Sequence, residues 1–426
     1  MHAGGLWRST LTLLAGGALA QALPLLLGPW LTRLYSPTEF GQFALLWALA
    51  TNVAVVGCAR YEFALPLERE EGPAALLMGL CLRVLLGVTA ASAVAGVVLL
   101  AWQDYDLALG LPLAVLAGAA AQWLTLWATR AQRYAQLAVA RVLQYGGGAV
   151  AQLALGLAGL GAWGLLLGAS LAGLGAAALL ARPAPQGGWL GLLAQPRAAL
   201  QTLARKHRDF PLLNTPHAFA GALQDSLALL IITSLAGDAA AGYWALALRY
   251  LKAPAGLVGG ALSQTLYPRL VNARDPAEAL ALVRQALAAL AVLALPLLLV
   301  LLLWGGPLFA WAFGERWVDA GHLAQALAPY IALHFIASPL SVATMAWQAQ
   351  GWALRLALVG QLLFVAGLAL GLKLGGLIGA AWGVSAAMAL YFGFFFWSLA
   401  TWKRFPAFTK ATATTTAQGP ADESLA

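Results

Sequence analysis

Apolar runs of about 18 to 25 residues recur along the whole chain, separated by short polar or Gly/Pro-rich segments, and this spacing predicts membrane-spanning helices. The first set covers residues 10–31, 40–59, 74–101, 107–128, 142–160 and 161–181; the second covers 216–235, 242–266, 280–303, 323–347, 354–372 and 377–401. Backbone in hydrocarbon must satisfy its own hydrogen bonds, so segments of this length are read as helices. The expected fold class is therefore all-α, a polytopic membrane protein of about twelve transmembrane helices. The first run, with Arg8 ahead of it and Ala18-Leu19-Ala20 inside it, has features of a cleavable signal peptide. It continues through Pro24 to Leu31, however, long enough to span, and is read as the first helix.

Composition supports this reading: hydrophobic residues make up 62% of the 426 and charged residues 9%, with a mean hydropathy of +0.79. A soluble domain cannot absorb that much apolar surface. The excess of 24 Lys+Arg over 16 Asp+Glu would suggest a nucleic-acid partner in a soluble protein. Here it follows from topology, and no nucleic acid is expected. With the N-terminus inside, the loops on that side carry most of the basic residues, from Arg8 to Lys410, while the other side carries Arg33, Arg316 and Lys373. Both termini are therefore expected in the cytoplasm. Cys58 and Cys81 lie in or beside apolar spans, have no metal-ligand spacing, and are read as packing residues.

The segment from Arg182 to Asn214, marked by Pro183, Pro185, Gly187 and Gly188, divides the chain. Across it the sequence repeats: residues 31–45 align without gaps on 232–246, with Thr, Leu, Gly, Ala and Leu coinciding and Gly41 falling on Gly242. An even number of helices per half makes the repeat parallel, two six-helix lobes related by a pseudo-two-fold axis along the membrane normal with a cavity between them. The expected organisation is 1–181 for the first lobe, 182–213 for a cytoplasmic linker, 214–404 for the second lobe and 405–426 for a disordered cytoplasmic tail.

A Lys or Arg at the centre of a span costs about 2.5 to 3.5 kcal/mol on insertion scales, so each should face a cavity or a partner. Arg83, Arg249 and Lys252 are such residues, and the last two share a helix face at i, i+3. Asp225 is the intramembrane acid, readable as their salt-bridge partner or as a proton or cation site. Two cations and one carboxylate leave a positive balance that suits a phosphate or diphosphate. His334 and His217 could titrate near neutral pH, although packed or interfacial positions are the simpler reading. Trp102, Trp304, Trp311, Trp317 and Trp402 read as an interfacial belt, and the Gly146-Gly147-Gly148 run as close helix packing. No metal-ligand cluster, serine-nucleophile motif, Walker sequence or large catalytic outer loop is found, so neither an enzyme nor a cofactor is expected.

Several segments, in order across almost the whole chain, carry a resemblance. They are residues 33–41 (RLYSPTEFG), 60–66 (RYEFALP), 208–216 (RDFPLLNTP), 262–270 (LSQTLYPRL), 313–321 (FGERWVDAG) and 338–341 (SPLS). Together they resemble the polysaccharide transporter family, the Wzx-like lipid-linked oligosaccharide and O-antigen flippases of the multidrug/oligosaccharidyl-lipid/polysaccharide exporter superfamily. The resemblance implies a two-lobe inner-membrane transporter that moves a polyprenyl-diphosphate-linked oligosaccharide across the bilayer by alternating access, for lipopolysaccharide O-antigen or exopolysaccharide synthesis. It implies a polymerase and a chain-length regulator as partners, and the protein is expected to act as a monomer. It also implies a cationic lumen, for which Arg33, Arg60, Arg83, Arg249 and Lys252 are available, with Asp225 as the ion-coupling candidate. Where related chains often carry Arg-Gln after the Ser338–Ser341 segment, this one reads Trp347-Gln348-Ala349-Gln350, without a basic side chain. The alternatives are a cation-coupled multidrug exporter, disfavoured by the basic lumen, a membrane ligase or polymerase, disfavoured by the missing catalytic loop, and a peptidoglycan-precursor flippase, which resembles the chain less in 60–66 and 338–341.

Overall fold

The computed structural model describes residues 3–185 and 187–405. The expected tail thus lies outside the described residues except for Phe405. The described secondary structure is helical: α1 (Ala3–Leu34), α2 (Pro37–Val55), α3 (Glu71–Gln103), α4 (Leu111–Arg130), α5 (Tyr134–Val142), α6 (Gly148–Leu157), α7 (Gly161–Leu180), α8 (Gly188–Leu193), α9 (Arg197–Lys206), α10 (Thr215–Ala236), α11 (Asp238–Val271), α12 (Pro276–Phe313), α13 (Val318–Leu340), α14 (Val342–Ala346) and α15 (Gln350–Ala400). A π-helical turn at Leu143–Gly147 joins α5 to α6, so the Gly146–Gly148 run lies inside one continuous span. α15 breaks at Gly375 and Gly376, which makes it a hairpin of two helices. Six helical stretches among the described residues are long and apolar enough to cross a membrane by length and composition. The count of twelve rests on the sequence pattern.

The halves α1–α7 and α10–α15 meet along α2, which packs against α10 and α11. Two ends of the bundle can be told apart: the turn end, where α1 passes into α2 and α10 into α11, and the linker end, which holds residues 182–185 and 187–213. At the turn end the repeated residues touch one another reciprocally. A Cβ on Gly41 would overlap the carbonyl of Asp238, and a Cβ on Gly242 would overlap the carbonyl of Pro37. Since the alignment pairs 41 with 242 and 37 with 238, this is the contact a two-fold axis between the lobes produces. Only residues without side chains let two helix backbones approach so closely.

The RLYSPTEFG segment builds this end. Ser36 caps α2 by accepting from the Glu39 amide while Glu39 accepts from the Ser36 amide at 2.7 Å, and Pro37 supplies the preset φ of the first turn. Tyr35 donates to the Gln152 carbonyl at 2.6 Å and ties the turn to α6. Phe40 packs edge-on against Trp317, ring centroids 5.2 Å apart, and Tyr243 does the same from the other lobe at 5.9 Å. Trp317 is fully buried and its Nε1 donates across the seam to the Thr32 carbonyl at 2.9 Å. The sequence placed Trp317 in an interfacial belt; the structure makes it the plug of an aromatic seal. Trp102 and Trp311, by contrast, are 85% and 82% exposed.

The segment 187–213 docks on the first lobe at the linker end. Arg83 donates to the carbonyls of Leu192, Leu193 and Gln195, closing the end of α8, and to that of Gly79 in its own helix. Glu68, 8% exposed, accepts from Lys206 and pairs with His207 Nε2 at 2.8 Å, holding the end of α9. The Lys206 hydrogen bond, followed by that of His207, holds the Glu68 carboxyl below its ordinary value of 4.5. A lowered folded-state value means that the clamp contributes fully above the unfolded value and is lost as pH falls through the folded one. Glu68→Gln should therefore speed hydrogen exchange of the α9 amides at pH 7, and the difference from wild type should vanish on acidification past that point. Equal exchange at pH 7 would show that the clamp does not hold the helix.

Candidate functional site

α11 carries Arg249 and Lys252 eleven and fourteen residues from its start, and Asp225 stands eleven residues from the end of α10. At 1.5 Å per residue both helices place these groups roughly 16 to 21 Å from the turn end, at mid-depth in the bundle, level with the middle of α10. The structure brings Lys252 and Asp225 together, Nζ to Oδ1 at 3.4 Å. Of the two readings the sequence left open for Asp225, the ion-pair contact is thus present. Tyr330 and His334 of α13 lie close enough to act electrostatically on the pair, and their rings are 5.9 Å apart.

Arg249 stands apart from the pair. Its Nη2 donates to the Pro24 carbonyl of α1 at 3.3 Å, across the seam between the lobes. Among the described residues it has no carboxylate partner, so the mid-depth group keeps a net positive charge at the interface of the two halves.

The neighbouring Tyr250 shows how α1 is shaped for this contact. Pro29 lacks the N–H that would bond the carbonyl four residues back, which leaves the Leu25 oxygen without its helical donor. Tyr250 Oη donates to that oxygen at 2.8 Å, and its hydroxyl occupies the place a Cβ on Gly28 would take. Tyr250→Phe keeps the ring against Phe313, whose centroid is 4.6 Å away, but strands the Leu25 carbonyl in a dry seam. The expected loss is about 1 to 3 kcal/mol, read as a lower unfolding temperature in detergent. An unchanged transition would show that water reaches this carbonyl.

The other basic candidates lie elsewhere. Arg33 is exposed in the last turn of α1, at the turn end. Arg60 follows α2 at the linker end, about 30 Å away along that helix, in a left-handed conformation with its guanidinium over the Phe63 ring at 4.5 Å. Arg83 is engaged by the four linker-end carbonyls. The structure therefore assembles Arg249, Lys252 and Asp225 at one depth and distributes Arg33, Arg60 and Arg83 to the two ends. The side chain of His217 lies outside the described residues. Cys58 and Cys81 are buried in the first lobe, as packing residues would be.

Some seam residues carried no sequence signal. Asn52 of α2 donates to the Ser226 hydroxyl at 2.6 Å and to the Ala222 carbonyl at 3.0 Å, while Ser226 donates to the Ala48 carbonyl. Gln42 donates to Asp238 at 3.0 Å. The cross-lobe bonds thus run from the turn end to Asn52, about 22 Å down α2. A lone Asn in an apolar run could have been flagged as helix glue, but its partner could not be named.

The sequence matches the polysaccharide biosynthesis protein family over residues 76–322, more than half of the chain. No curated protein matches it. Among solved structures, the lipid II flippase MurJ in an inward closed conformation is similar with a TM-score of 0.69 at 12% identity, over 90% of this chain and 89% of that one. An inward-facing multidrug-resistance MATE transporter of the MOP superfamily gives 0.64 at 14% identity, over 91% and 93%. A MOP-superfamily transporter from Pyrococcus furiosus, described as having a binding pocket of reverse polarity, gives 0.53 at 14% identity, over 92% and 94%. At such identities the likeness concerns the fold: two-lobed, all-helical and multi-pass.

Proposed function

The chain belongs to the polysaccharide biosynthesis protein family, and from that premise we propose that it is a flippase for polyprenyl-diphosphate-linked oligosaccharides, not an enzyme. The observation that carries this reading is the unpaired charge of Arg249 on the seam between the lobes, beside a Lys252 already paired with Asp225. A planar guanidinium with free donors matches two phosphate oxygens at once and is worth most where water is excluded. A headgroup diphosphate meets that requirement and a cationic drug does not. Asp225, the acid in the middle of the apolar stretches among the described residues, is already neutralised, which disfavours the multidrug reading.

The two halves then work as a rocking pair. The seal of Phe40, Tyr243 and Trp317 is read as facing the periplasm and the linker end as facing the cytoplasm of a bacterial inner membrane, both termini included. The headgroup enters from the linker end and binds at mid-depth, and the cross-lobe contacts are remade on the other side as the lobes tilt. The polyprenyl tail stays in the bilayer, since each CH₂ drawn into water costs about 0.8 kcal/mol. Use of the product by a polymerase and a chain-length regulator belongs to the same reading.

The reading is tested in a deletion strain, which should accumulate lipid-linked repeat units facing the cytoplasm; normal surface glycan in that strain would sink it. Asp225 is the ion-coupling candidate, because protonation would release Lys252 to the substrate and so link ion binding to headgroup binding. Asp225→Asn should flatten the pH dependence of transport, and a profile identical to wild type would remove the role.

A further inference from the structure

A second concave site lies at the linker end of the second lobe, about twenty residues of helix away from the mid-depth cations. The break between α14 and α15 and the chain leaving α15 enclose an open cavity of about 420 Å³, walled by Trp347, Gln348, Trp352, Arg355, Trp402 and Arg404 among others, with no acidic residue among the described residues of its lining. That is room for one or two sugar rings.

The walls are built, not incidental. Trp347 and Trp402 stack with centroids 5.8 Å apart, and Trp352 meets Trp402 edge-on at 5.1 Å. Trp402 is fixed in turn by donating its Nε1 to the Arg404 carbonyl at 2.6 Å. These rings do not behave as a lipid-facing belt: Trp347 is 3% exposed, against 85% for Trp102. The Nε1 of Trp347 is buried and has no acceptor among the described residues, an unusual state for an indole. Gln348 beside it holds a left-handed backbone, φ +54°, which a non-glycine residue keeps only where its surroundings impose it. Arg355 donates its Nε to the Gly351 carbonyl at 3.2 Å, and among the described residues its two terminal nitrogens have no partner and can meet a ligand.

We propose that this cavity binds a phosphorylated sugar, with the phosphate on Arg355 and Arg404 and a sugar ring against the partly exposed Trp352 and Trp402. Guanidinium groups recognise phosphate through paired N–H donors. The electron-rich indole faces attract the C–H face of a pyranose, and the Gln348 amide offers a donor and an acceptor for its hydroxyls. Inorganic phosphate would use the arginines alone, and a phospholipid headgroup would leave the aromatic wall unused. The source of such a ligand rests on the flippase reading: the site is a reception point for the glycan headgroup at the end from which it enters. The four-residue stretch 347–350, where a basic residue was expected and is missing, thus contributes the Gln348 amide, and the buried Trp347 ring that backs Trp402, to a site whose charge comes from Arg355 and Arg404.

The test is calorimetric titration of the purified full chain in detergent with N-acetylglucosamine 1-phosphate, N-acetylglucosamine and inorganic phosphate as separate probes. The sugar phosphate should bind at least tenfold tighter than either fragment. Arg355→Ala should weaken it about tenfold and Arg355→Lys less, while Trp352→Ala should erase the advantage over inorganic phosphate and Trp352→Phe should keep most of it. Monodisperse elution and an unchanged unfolding temperature identify usable variants, and Arg404→Ala substitutes for any that fail. The difference between wild type and Arg355→Ala is measured again on an Arg249→Ala background. Persistence there supports the cavity, and its disappearance assigns the ligand to mid-depth and overturns the proposal. Equal affinity for inorganic phosphate overturns it too, as does displacement of the probe by phosphatidylglycerol nanodiscs, which would assign the cavity to a phospholipid. A transport defect in Arg249→Ala without sugar-phosphate binding would leave the flippase reading standing and end this one. Sugar-phosphate binding in a chain whose deletion leaves surface glycan normal would do the reverse.

Discussion

Gly41→Val is expected to abolish transport and to lower the unfolding temperature of the purified protein. At Gly41 the backbone of α2 rests directly on the carbonyl of Asp238, and a first side-chain carbon would already overlap that oxygen. The obstacle is backbone, which cannot rotate away as a side chain can, so α2 and α11 must separate. Separation would disturb the Gln42–Asp238 bond, the Trp317–Thr32 bond and the edge-on packing of Phe40 and Tyr243 on Trp317. Overpacking of this kind typically costs about 1 to 3 kcal/mol, and the loss of the seal adds to it. Gly242→Val should behave alike, because its Cβ meets the Pro37 carbonyl in the mirrored contact. Gly87→Ala, where nothing stands within 4 Å, is the control. Wild-type melting and surface-glycan synthesis in Gly41→Val would show that the two helices do not cross at this point in the working protein.

Arg249→Ala is expected to lower the rate of lipid-linked oligosaccharide translocation by about 30- to 150-fold. The estimate takes the charge-assisted hydrogen bonds of one guanidinium to a phosphate as about 2 to 3 kcal/mol. Because the guanidinium is held by one backbone carbonyl and no carboxylate, its loss strands no buried anion. Folding should therefore suffer less than transport. Arg249→Lys keeps the charge and gives up the fork, so it should retain an intermediate rate. Lys252→Ala is the contrasting variant: it removes a cation already paired and leaves Asp225 alone at mid-depth, so it should disturb ion dependence more than headgroup affinity. The measurement is the fraction of repeat units facing the cytoplasm in cells relying on each variant. Translocation at the wild-type rate in Arg249→Ala would remove the residue from the site.

Much of this site is legible in the order of the amino acids. The i, i+3 spacing puts Arg249 and Lys252 on one face of α11, and the lack of other acids in the apolar stretches singles out Asp225. What spacing cannot say is which cation the carboxylate takes. That depends on how α10 lies against α11, which brings Asp225 to Lys252 and leaves Arg249 turned toward α1. Arg83 shows the opposite case. An arginine within an apolar run suggests a lumen, yet the fold brings the end of α8 to it, and the carbonyls of Leu192, Leu193 and Gln195 at that end are a sufficient partner. The RLYSPTEFG segment is readable as a family mark, but its physical content appears only in three dimensions: a cap at Ser36 and Glu39, an anchor at Tyr35, a seal at Phe40 and a crossing at Gly41.

By itself the sequence determined the helical, multi-pass character of the chain and the correspondence of Gly41 with Gly242. These follow from local rules: a backbone in lipid must close its own hydrogen bonds, and a repeated sequence folds into a repeated unit. The tertiary structure alone decided that the two glycines meet across the axis, that Trp317 seals the seam while Trp311 faces outward, and which charges are paired. Each of those depends on the rotation of one helix against another, set by the summed packing of side chains distant in sequence, and no local pattern encodes that angle.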